Sequence, residues 1–176
     1  VFVMSCGECR ECSGGRSNLC SSSMVAKSKG ELAAGGRRLH MEGGVLNHAA
    51  GISCFAEYAV VDQRSVVKVP KDVPLEDAAL FGCAVVTGVG AVLNTANVQP
   101  GRSMAVFGLG GVGLNAVMAG AIAGAEPLIA VDVHDEKLSL ALELGAAHAV
   151  NASSPTVIEV IKDLSNGRVH HAFDMA

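Results

Sequence analysis

The chain has 176 residues, of which 50% are hydrophobic and 17% are charged, a composition typical of globular proteins and not of disordered ones. A formal net charge of −4, a single Tyr and no Trp exclude the basic surfaces and stacking aromatics on which nucleic-acid binding depends. The sequence begins at Val1 without a signal or transit segment and ends within a predicted strand, so we interpret it as a fragment that lacks both ends of a longer protein.

The first feature along the chain is a group of four cysteines with the spacing C-x2-C-x2-C-x7-C, formed by Cys6, Cys9, Cys12 and Cys20. Three thiolates spaced so closely can converge on one point only in a tight loop, which Gly7, Gly14 and Gly15 permit. The fourth thiolate would complete a tetrahedron around zinc. Such a site has no open position for chemistry, so the spacing predicts a structural zinc.

Two other uses of these cysteines remain open. Disulfides are one, although a chain without a secretory signal more often uses clustered cysteines for metal. An iron–sulfur cluster is the other. The bacterial ferredoxin run shares the first three positions, but its fourth Cys follows after three residues and precedes a Pro. In this chain the gap is seven residues and Ser21 follows, which favours zinc.

The middle of the chain gives weaker signals. Residues 21–50 have no hydrophobic period and are predicted to be irregular. Residues 55–70 are rich in β-branched side chains and end at a proline, which predicts two short strands. A helix is predicted to start at Leu75, a second to run from about Val85 to Leu93, and a turn to follow at Pro100-Gly101. Cys54, in this stretch, is interpreted as a small apolar residue.

The second half begins with a strand, Met104–Phe107, and the motif G-x-G-x-x-G at residues 108–113. A helix, Leu114–Ala123, and a strand, Leu128–Val131, follow the motif. The uncharged stretch 105–125 is long enough to span a bilayer, but its four glycines favour a turn between a strand and a helix. We therefore expect no membrane segment here.

The glycine motif has the context that dinucleotide binding requires. Gly108 would make the turn, Gly110 would let the backbone approach the pyrophosphate, and Gly113 would allow close packing of helix on strand. Asp132 ends the second strand, where a carboxylate accepts ribose hydroxyls and repels a 2′-phosphate, which favours NAD over NADP. The alternative is a loop that binds nothing, with Asp132 capping the next helix.

The alternation continues to the end of the sequence. A helix starts at Asp135 and is stopped by Gly145, and the strand Ala147–Val150 follows. Ser154-Pro155 would open another helix, which ends near Gly167, and residues 170–175 form a last strand. Strands that alternate with helices predict an α/β fold with a parallel, doubly wound sheet.

A four-cysteine loop followed by a dinucleotide motif resembles the zinc-dependent medium-chain dehydrogenase/reductase family, above all the zinc-containing alcohol dehydrogenases. The resemblance covers essentially the whole chain and includes Phe55-Ala56-Glu57-Tyr58 and the pattern Gly82-Cys83-x-x-x-Thr87-Gly88. It implies that residues 1–84 are the C-terminal part of a β-rich, GroES-like catalytic domain with a structural zinc loop. Residues 85–176 would be the first part of a Rossmann NAD-binding domain.

The resemblance also implies the roles of individual residues. Cys83 matches the last protein ligand of a catalytic zinc, and Thr87 and Val112 match positions that touch the nicotinamide. Asp132 matches the ribose ligand, and Lys137 lies beside the same ribose. The cofactor loop comprises Gly108, Leu109, Gly110, Gly111, Val112 and Gly113, and the structural zinc would be held by Cys6, Cys9, Cys12 and Cys20.

The family's other catalytic zinc ligands, a Cys and the His of a Gly-His-Glu motif, lie ahead of the present sequence, as does its proton relay. The expected reaction of the complete protein is hydride transfer from a primary or secondary alcohol to NAD, with an alkoxide bound to the catalytic zinc. The fragment alone is expected to be inactive. Ala49 and Ala50 stand where the family often has bulkier residues, which predicts a roomier substrate pocket.

The expected partners are a small alcohol or aldehyde and further copies of the chain, as a homodimer or homotetramer in the cytoplasm. Two rival functions remain. A non-catalytic NAD-binding relative would share the fold, although the thiol of Cys83 argues against it. An iron–sulfur electron carrier would instead contain iron and absorb visible light.

Overall fold

A computed structural model describes residues 4–176 of the chain. Its contacts separate two compact units, residues 1–78 and 79–176, and each is described by itself. The sequence places the boundary after residue 84. The difference concerns residues 79–84, which include Cys83, because the contacts assign these residues to the second unit.

The first unit consists mainly of loops and short helices. Its helices are α1 (Arg10–Ser13) and α2 (Ser21–Ser28), and its hairpin pairs β1 (Leu39–Met41) with β2 (Gly44–Leu46). Single 3₁₀ turns lie at Ser17–Leu19, Ala49–Gly51 and Gln63–Ser65. The buried side chains of this unit include Met4, Cys20 and Leu32, and Cys20 is one of the four clustered cysteines.

Two predictions for this unit are wrong. Residues 21–50 contain a helix and a hairpin, because the Cys20 thiol caps α2 and the two-residue turn at Glu42-Gly43 closes the hairpin. Residues 55–70 contain no strand, although their composition favours one. A strand needs a partner for its backbone, and the part of the chain that the structure describes provides none there. Val60, Val66 and Val67 are accordingly exposed.

A helical segment begins at Leu75 in α3 (Leu75–Leu80), four residues before the second unit, and continues within that unit to Thr95. Its central part is α4 (Val86–Gly90), and π-helical turns occupy Phe81–Val85 and Ala91–Thr95. An 18-residue window of this 21-residue segment has a mean hydropathy of 1.7, so length and composition alone would allow the segment to cross a membrane. In this structure 11% of that window is buried, and the buried positions include Gly88 and Val92.

A four-stranded parallel sheet forms the centre of the second unit, as predicted. Its strands are β3 (Met104–Phe107), β4 (Leu128–Asp132), β5 (His148–Asn151) and β6 (His171–Asp174), in the order β5-β4-β3-β6. The order reverses at β3, because β4 and β6 lie on opposite sides of it. In such sheets ligands bind at the carboxyl ends of the strands beside the reversal point.

Three helices complete the unit, namely α5 (Gly111–Ile122), α6 (Asp135–Glu143) and α7 (Val157–Leu164). The stretch 105–125, considered above as a membrane span, is a strand, a turn and a helix. Helix α5 starts three residues before the predicted Leu114, and α7 starts after Ser154-Pro155 instead of at this dipeptide. Gly145, which has a φ of 109°, follows the last turn of α6, as predicted.

Alternate residues of the central strands face opposite sides of the sheet and build two cores. Met104, Val106 and Ala130 face one side, together with Val117 of α5. Ala105, Ile129 and Val131 face the other, together with Ile161 of α7. Burial of β3 and β4 on both faces explains their uninterrupted apolar sequences and fixes the carboxyl edge of the sheet firmly.

Candidate metal and dinucleotide sites

The four cysteines of the first unit converge on one point. The Sγ atoms of Cys6, Cys9, Cys12 and Cys20 all lie within 4.8 Å of one another. The closest pairs are Cys6 with Cys12, at 3.9 Å, and Cys9 with Cys20, at 4.0 Å. All four thiols are free, since a disulfide would bring two sulfurs to about 2 Å.

These distances match the donor set of a single zinc ion. With Zn–S bonds of about 2.3 Å, a regular tetrahedron separates its sulfurs by about 3.8 Å. In an iron–sulfur cluster the thiolates are spread over several irons, so their sulfurs lie farther apart. The geometry therefore fits one tetrahedral ion held by four thiolates.

The backbone around the cluster stabilises thiolates. N–H groups of Glu8 and Cys9 donate to Cys6 Sγ at 3.4 and 3.2 Å, and these bonds lower the pKa of the Cys6 thiol to about 6. A backbone hydrogen bond from Cys12 lowers the pKa of Cys9. Burial instead raises the pKa of Cys20, so the thiolate at this position needs a neighbouring cation.

One cationic side chain contacts the cysteine loop from far along the sequence. The guanidinium of Arg64 donates to the Cys6 carbonyl oxygen at 3.0 Å. Asp62 holds that guanidinium through two bonds, Nε to Oδ1 at 2.9 Å and Nη2 to Oδ2 at 2.8 Å. Arg64 in turn lowers the pKa of Asp62 to about 2. The sequence pattern did not identify this pair, because nothing local relates residue 64 to residue 6.

The glycine loop of the second unit connects β3 to α5. Gly108 has a φ of 84°, which an L-residue rarely adopts, and a Cβ there would lie 2.7 Å from the nitrogen of Ala176. A Cβ on Gly113 would collide with the Gly108 carbonyl oxygen. Gly110 and Gly111 open the helix, and a Cβ on Gly110 would meet no atom within 4 Å. The loop therefore presents open space in front of the free N–H groups of α5.

Asp132 is tied to this loop. Its Oδ2 accepts from the Leu109 N–H at 2.7 Å and its Oδ1 from the His134 N–H at 3.0 Å. The residue is buried, and burial raises its pKa, but the two N–H groups and the Lys137 charge together hold the pKa below the ordinary value. Lys137 Nζ lies 3.8 Å from Oδ2. The carboxylate is therefore ionised and keeps lone pairs for further donors.

A cleft of about 280 Å³ opens beside Asp132 at the carboxyl edge of the sheet. Phe107 at the end of β3 and the adjacent Gly108 line it on one side, and Val131 to Val133 line it at the end of β4. The side chain of Leu109 points into the core instead, with 1% exposed, so only its backbone faces the loop. Of the sequence-predicted cofactor residues, Gly108 and Asp132 line this cleft, while the Leu109 N–H and Lys137 Nζ lie beside the Asp132 carboxylate.

Cys83 and Thr87 lie on the helical segment Leu75–Thr95, and both are exposed. Within residues 4–176, Cys83 has no group of His, Cys, Asp or Glu around it that could complete a metal site. Val112, in the first turn of α5, lies beside this segment, because a Cβ on Gly88 would overlap its carbonyl oxygen. The structure therefore puts Cys83 and Thr87 in the same unit as the glycine loop.

Ala49 and Ala50 form the 3₁₀ turn that precedes Gly51 in the first unit. Ala49 is exposed, and Ala50 has a φ of 52°, a conformation that larger L-residues adopt only with strain. The neighbouring His48 is buried and its Nε2 accepts from the Arg38 N–H at 3.0 Å. The sequence drew no attention to His48, which here fixes the start of the turn.

Comparisons with known proteins identify the family of the chain. The model of the alcohol dehydrogenase GroES-like domain matches residues 1–71, and that of the zinc-binding dehydrogenase matches residues 111–176. An alcohol dehydrogenase zinc-binding domain protein from Burkholderia ambifaria has a similar structure, with a TM-score of 0.86 and 41% identity over 97% of this chain and 46% of that one.

Two further solved structures are similar. The benzyl alcohol dehydrogenase of Acinetobacter calcoaceticus has a TM-score of 0.83 and 36% identity over 98% of this chain and 47% of its own. Zinc-dependent alcohol dehydrogenase 2 from Streptococcus pneumonia has a TM-score of 0.68 and 29% identity over 98% of this chain and 44% of its own. The chain thus spans less than half the length of each of these relatives.

Proposed function

Because the chain belongs to the zinc-binding alcohol dehydrogenase family, we propose that the intact protein oxidises an alcohol by transferring a hydride to NAD. One observation carries this proposal, namely that the glycine loop, Asp132 and the Cys83 turn lie in one compact unit. A dehydrogenase needs its cofactor and its reactive metal side by side, and this unit has a residue suited to each.

Each residue then has a proposed role. Asp132 accepts hydrogen bonds from the adenosine ribose, and Lys137 sits beside the same ribose. The N–H groups of Gly111, Val112 and Gly113 face the pyrophosphate, while Thr87 and Val112 contact the nicotinamide. Cys83 supplies one thiolate to a reactive zinc. When bound, that zinc provides Lewis acidity toward the alcohol, and NAD accepts the hydride.

The four-cysteine site is proposed to bind a structural zinc. Its four thiols supply a complete tetrahedron without an open position, so no substrate can bind the ion. We propose that the protein acts in the cytoplasm, because clustered thiols that bind metal are typical of reducing compartments. We further propose that the intact protein is a homodimer or homotetramer.

The substrate is proposed to be a primary alcohol as large as benzyl alcohol. The small side chains of Ala49 and Ala50 support this size, and so does the similarity to a benzyl alcohol dehydrogenase. Ala49→Phe tests it better than a change at Ala50, whose left-handed backbone would be strained by a larger residue. We expect Ala49→Phe to shift kcat/KM from benzyl alcohol toward ethanol, and an unchanged ratio would contradict the proposed pocket.

The decisive experiment is metal analysis together with NADH formation in the intact protein. We expect zinc without iron, and benzyl alcohol-dependent NADH formation that Cys83→Ser abolishes and Cys54→Ser leaves intact. Cys54 is the matched control, because it is also an exposed free thiol. NAD binding without turnover would favour the non-catalytic relative, and bound iron with visible absorbance would favour the electron carrier.

A further inference from the structure

The helical segment that carries Cys83 packs unusually closely on the helix that follows the glycine loop. A Cβ added to Gly88 would overlap the Val112 carbonyl oxygen and lie 2.8 Å from Asn115 Cβ and 2.9 Å from the Ala116 nitrogen. Two of these three atoms belong to backbone, which cannot rotate away. The contact thus requires glycine at position 88, for a reason independent of backbone dihedral angles.

The same approach places the Cys83 turn on the start of α5. Ala84, the residue after Cys83, has its Cβ 3.5 Å from the position a Cβ would take on Gly111, the first residue of α5. A hydrogen bond within α5 stabilises this contact region, because Asn115 Nδ2 donates to the Gly111 carbonyl oxygen at 2.7 Å. The turn Phe81–Val85 therefore lies against Gly111, the residue at which α5 begins.

We propose that Gly88 is a positioning residue that holds the Cys83 turn against the first turn of α5, so that NAD binding and the environment of Cys83 are coupled. The inference rests on the proposed function for the identity of the ligand, NAD. The close packing of the Cys83 turn on α5 is independent of that function. Gly88 itself has no side chain with which to touch cofactor, substrate or metal. It acts through the distance between two backbones.

The variant Gly88→Ala tests the inference in the intact protein. Its methyl group must push the segment and α5 apart and so displace the residues at the start of α5, and NAD affinity is expected to fall about tenfold. In the wild type, NAD is expected to slow alkylation of Cys83 by iodoacetamide, measured by mass spectrometry of the Cys83 peptide. In Gly88→Ala this protection should be lost.

Two controls separate positioning from simple loss of stability. Gly90→Ala makes the same change on the same helix, where the nearest atom is Asn94 Nδ2 at 4.0 Å, and should behave as the wild type does. Gly120→Ala introduces a methyl 2.9 Å from the sulfur of the buried Met104. It should lower the melting temperature, yet leave NAD affinity and Cys83 protection unchanged.

The outcomes distinguish this inference from the proposed function. If the wild type binds NAD and Gly88→Ala protects Cys83 equally well, the positioning role is wrong while the proposed function stands. If the wild type binds no NAD, the proposed function is wrong. The alkylation rate of Cys83 without ligand then tests whether Gly88 holds the Cys83 turn against α5. If Cys83 is then alkylated at different rates in Gly88→Ala and Gly90→Ala, the positioning of the turn is still supported. Equal alkylation rates would overturn it.

Discussion

At the scale of single residues, Asp132 joins the glycine loop to the proposed ribose site. Its carboxylate already accepts two N–H groups at 2.7 and 3.0 Å, so the loop and the carboxylate are fixed before any ligand binds. Because the loop is already ordered, NAD binding has a smaller entropic cost. The arrangement also implies that a change at Asp132 alters both the shape of the loop and the charge in front of the ribose.

We expect Asp132→Asn to weaken NAD binding about tenfold or more, because hydrogen bonds to a charged acceptor contribute about 1.5–3 kcal/mol. The variant should also narrow the preference for NAD over NADP, since the negative charge that repels a 2′-phosphate is gone. Calorimetric titration with both cofactors measures the two effects. Asp163→Asn, at an exposed position on α7, is the control, and an unchanged NAD-to-NADP ratio in Asp132→Asn would contradict the assignment.

The pH dependence of the same residue follows from its lowered pKa. A carboxylate with a folded pKa below its unfolded value of about 3.9 contributes its full stability above that pH and loses it as acid protonates the folded form. NAD affinity should therefore show no titration step from Asp132 between about pH 6 and pH 9. A step in this range that disappears in Asp132→Asn would show that the carboxylate is not held in its ionised form.

Arg64 is a second residue whose effect reaches beyond its own segment. Arg64→Ala removes the bond to the Cys6 carbonyl and a positive charge beside Cys6. We expect zinc to pass to a colorimetric chelator several-fold faster than from the wild type, with Arg64→Lys between the two. Arg10→Ala, an exposed arginine within the loop, should release zinc at the wild-type rate. Equal rates for all variants would mean that Arg64 does not hold the loop.

At the scale of elements, the sequence predicts those whose cause is local. The strands and glycine loop of the second unit follow from apolar runs and from glycines that no other residue can replace, as the Gly113 contact shows. The four cysteines likewise lie within a short stretch of chain. Residues 55–70 have strand-like composition but no partner strand, and partners are set by the tertiary fold. The sequence does not predict the role of Arg64, because its contact with Cys6 is distant along the chain. It does not predict the role of Gly88 either, because that glycine acts through a backbone contact.

Helix α2 depends on the metal loop through its cap. The Cys20 Sγ accepts from the Ser23 N–H at 3.4 Å, so one thiol both starts the helix and completes the tetrahedron. We expect zinc removal to accelerate amide exchange in α2 and to leave α5 protected, because α5 is buried in the sheet's own core. Cys20→Ala should mimic zinc removal and Cys54→Ala should not. Uniform acceleration in both helices would point to global unfolding instead.

At the scale of the whole molecule, the two units differ in how much apolar surface they cover. Phe55 and Tyr58 of the first unit are fully exposed, and the strand-like residues between positions 60 and 69 present valines to solvent. In the second unit the edge strand β6 pairs on one side only, with β3. Exposed aromatic side chains and an unpaired strand edge both favour association with other chains.

We therefore expect residues 1–176, expressed alone, to form polydisperse species without a cooperative melting transition, as light scattering and calorimetry would show. Phe55→Glu should reduce the association, because it replaces a fully exposed aromatic ring by a charge. Leu140→Glu is the matched control, since that leucine is only 41% exposed and lies on the charged helix α6. A monodisperse wild-type chain with a single transition would show instead that the two units cover their apolar surfaces by themselves, and the exposed residues around Phe55 would then need another explanation.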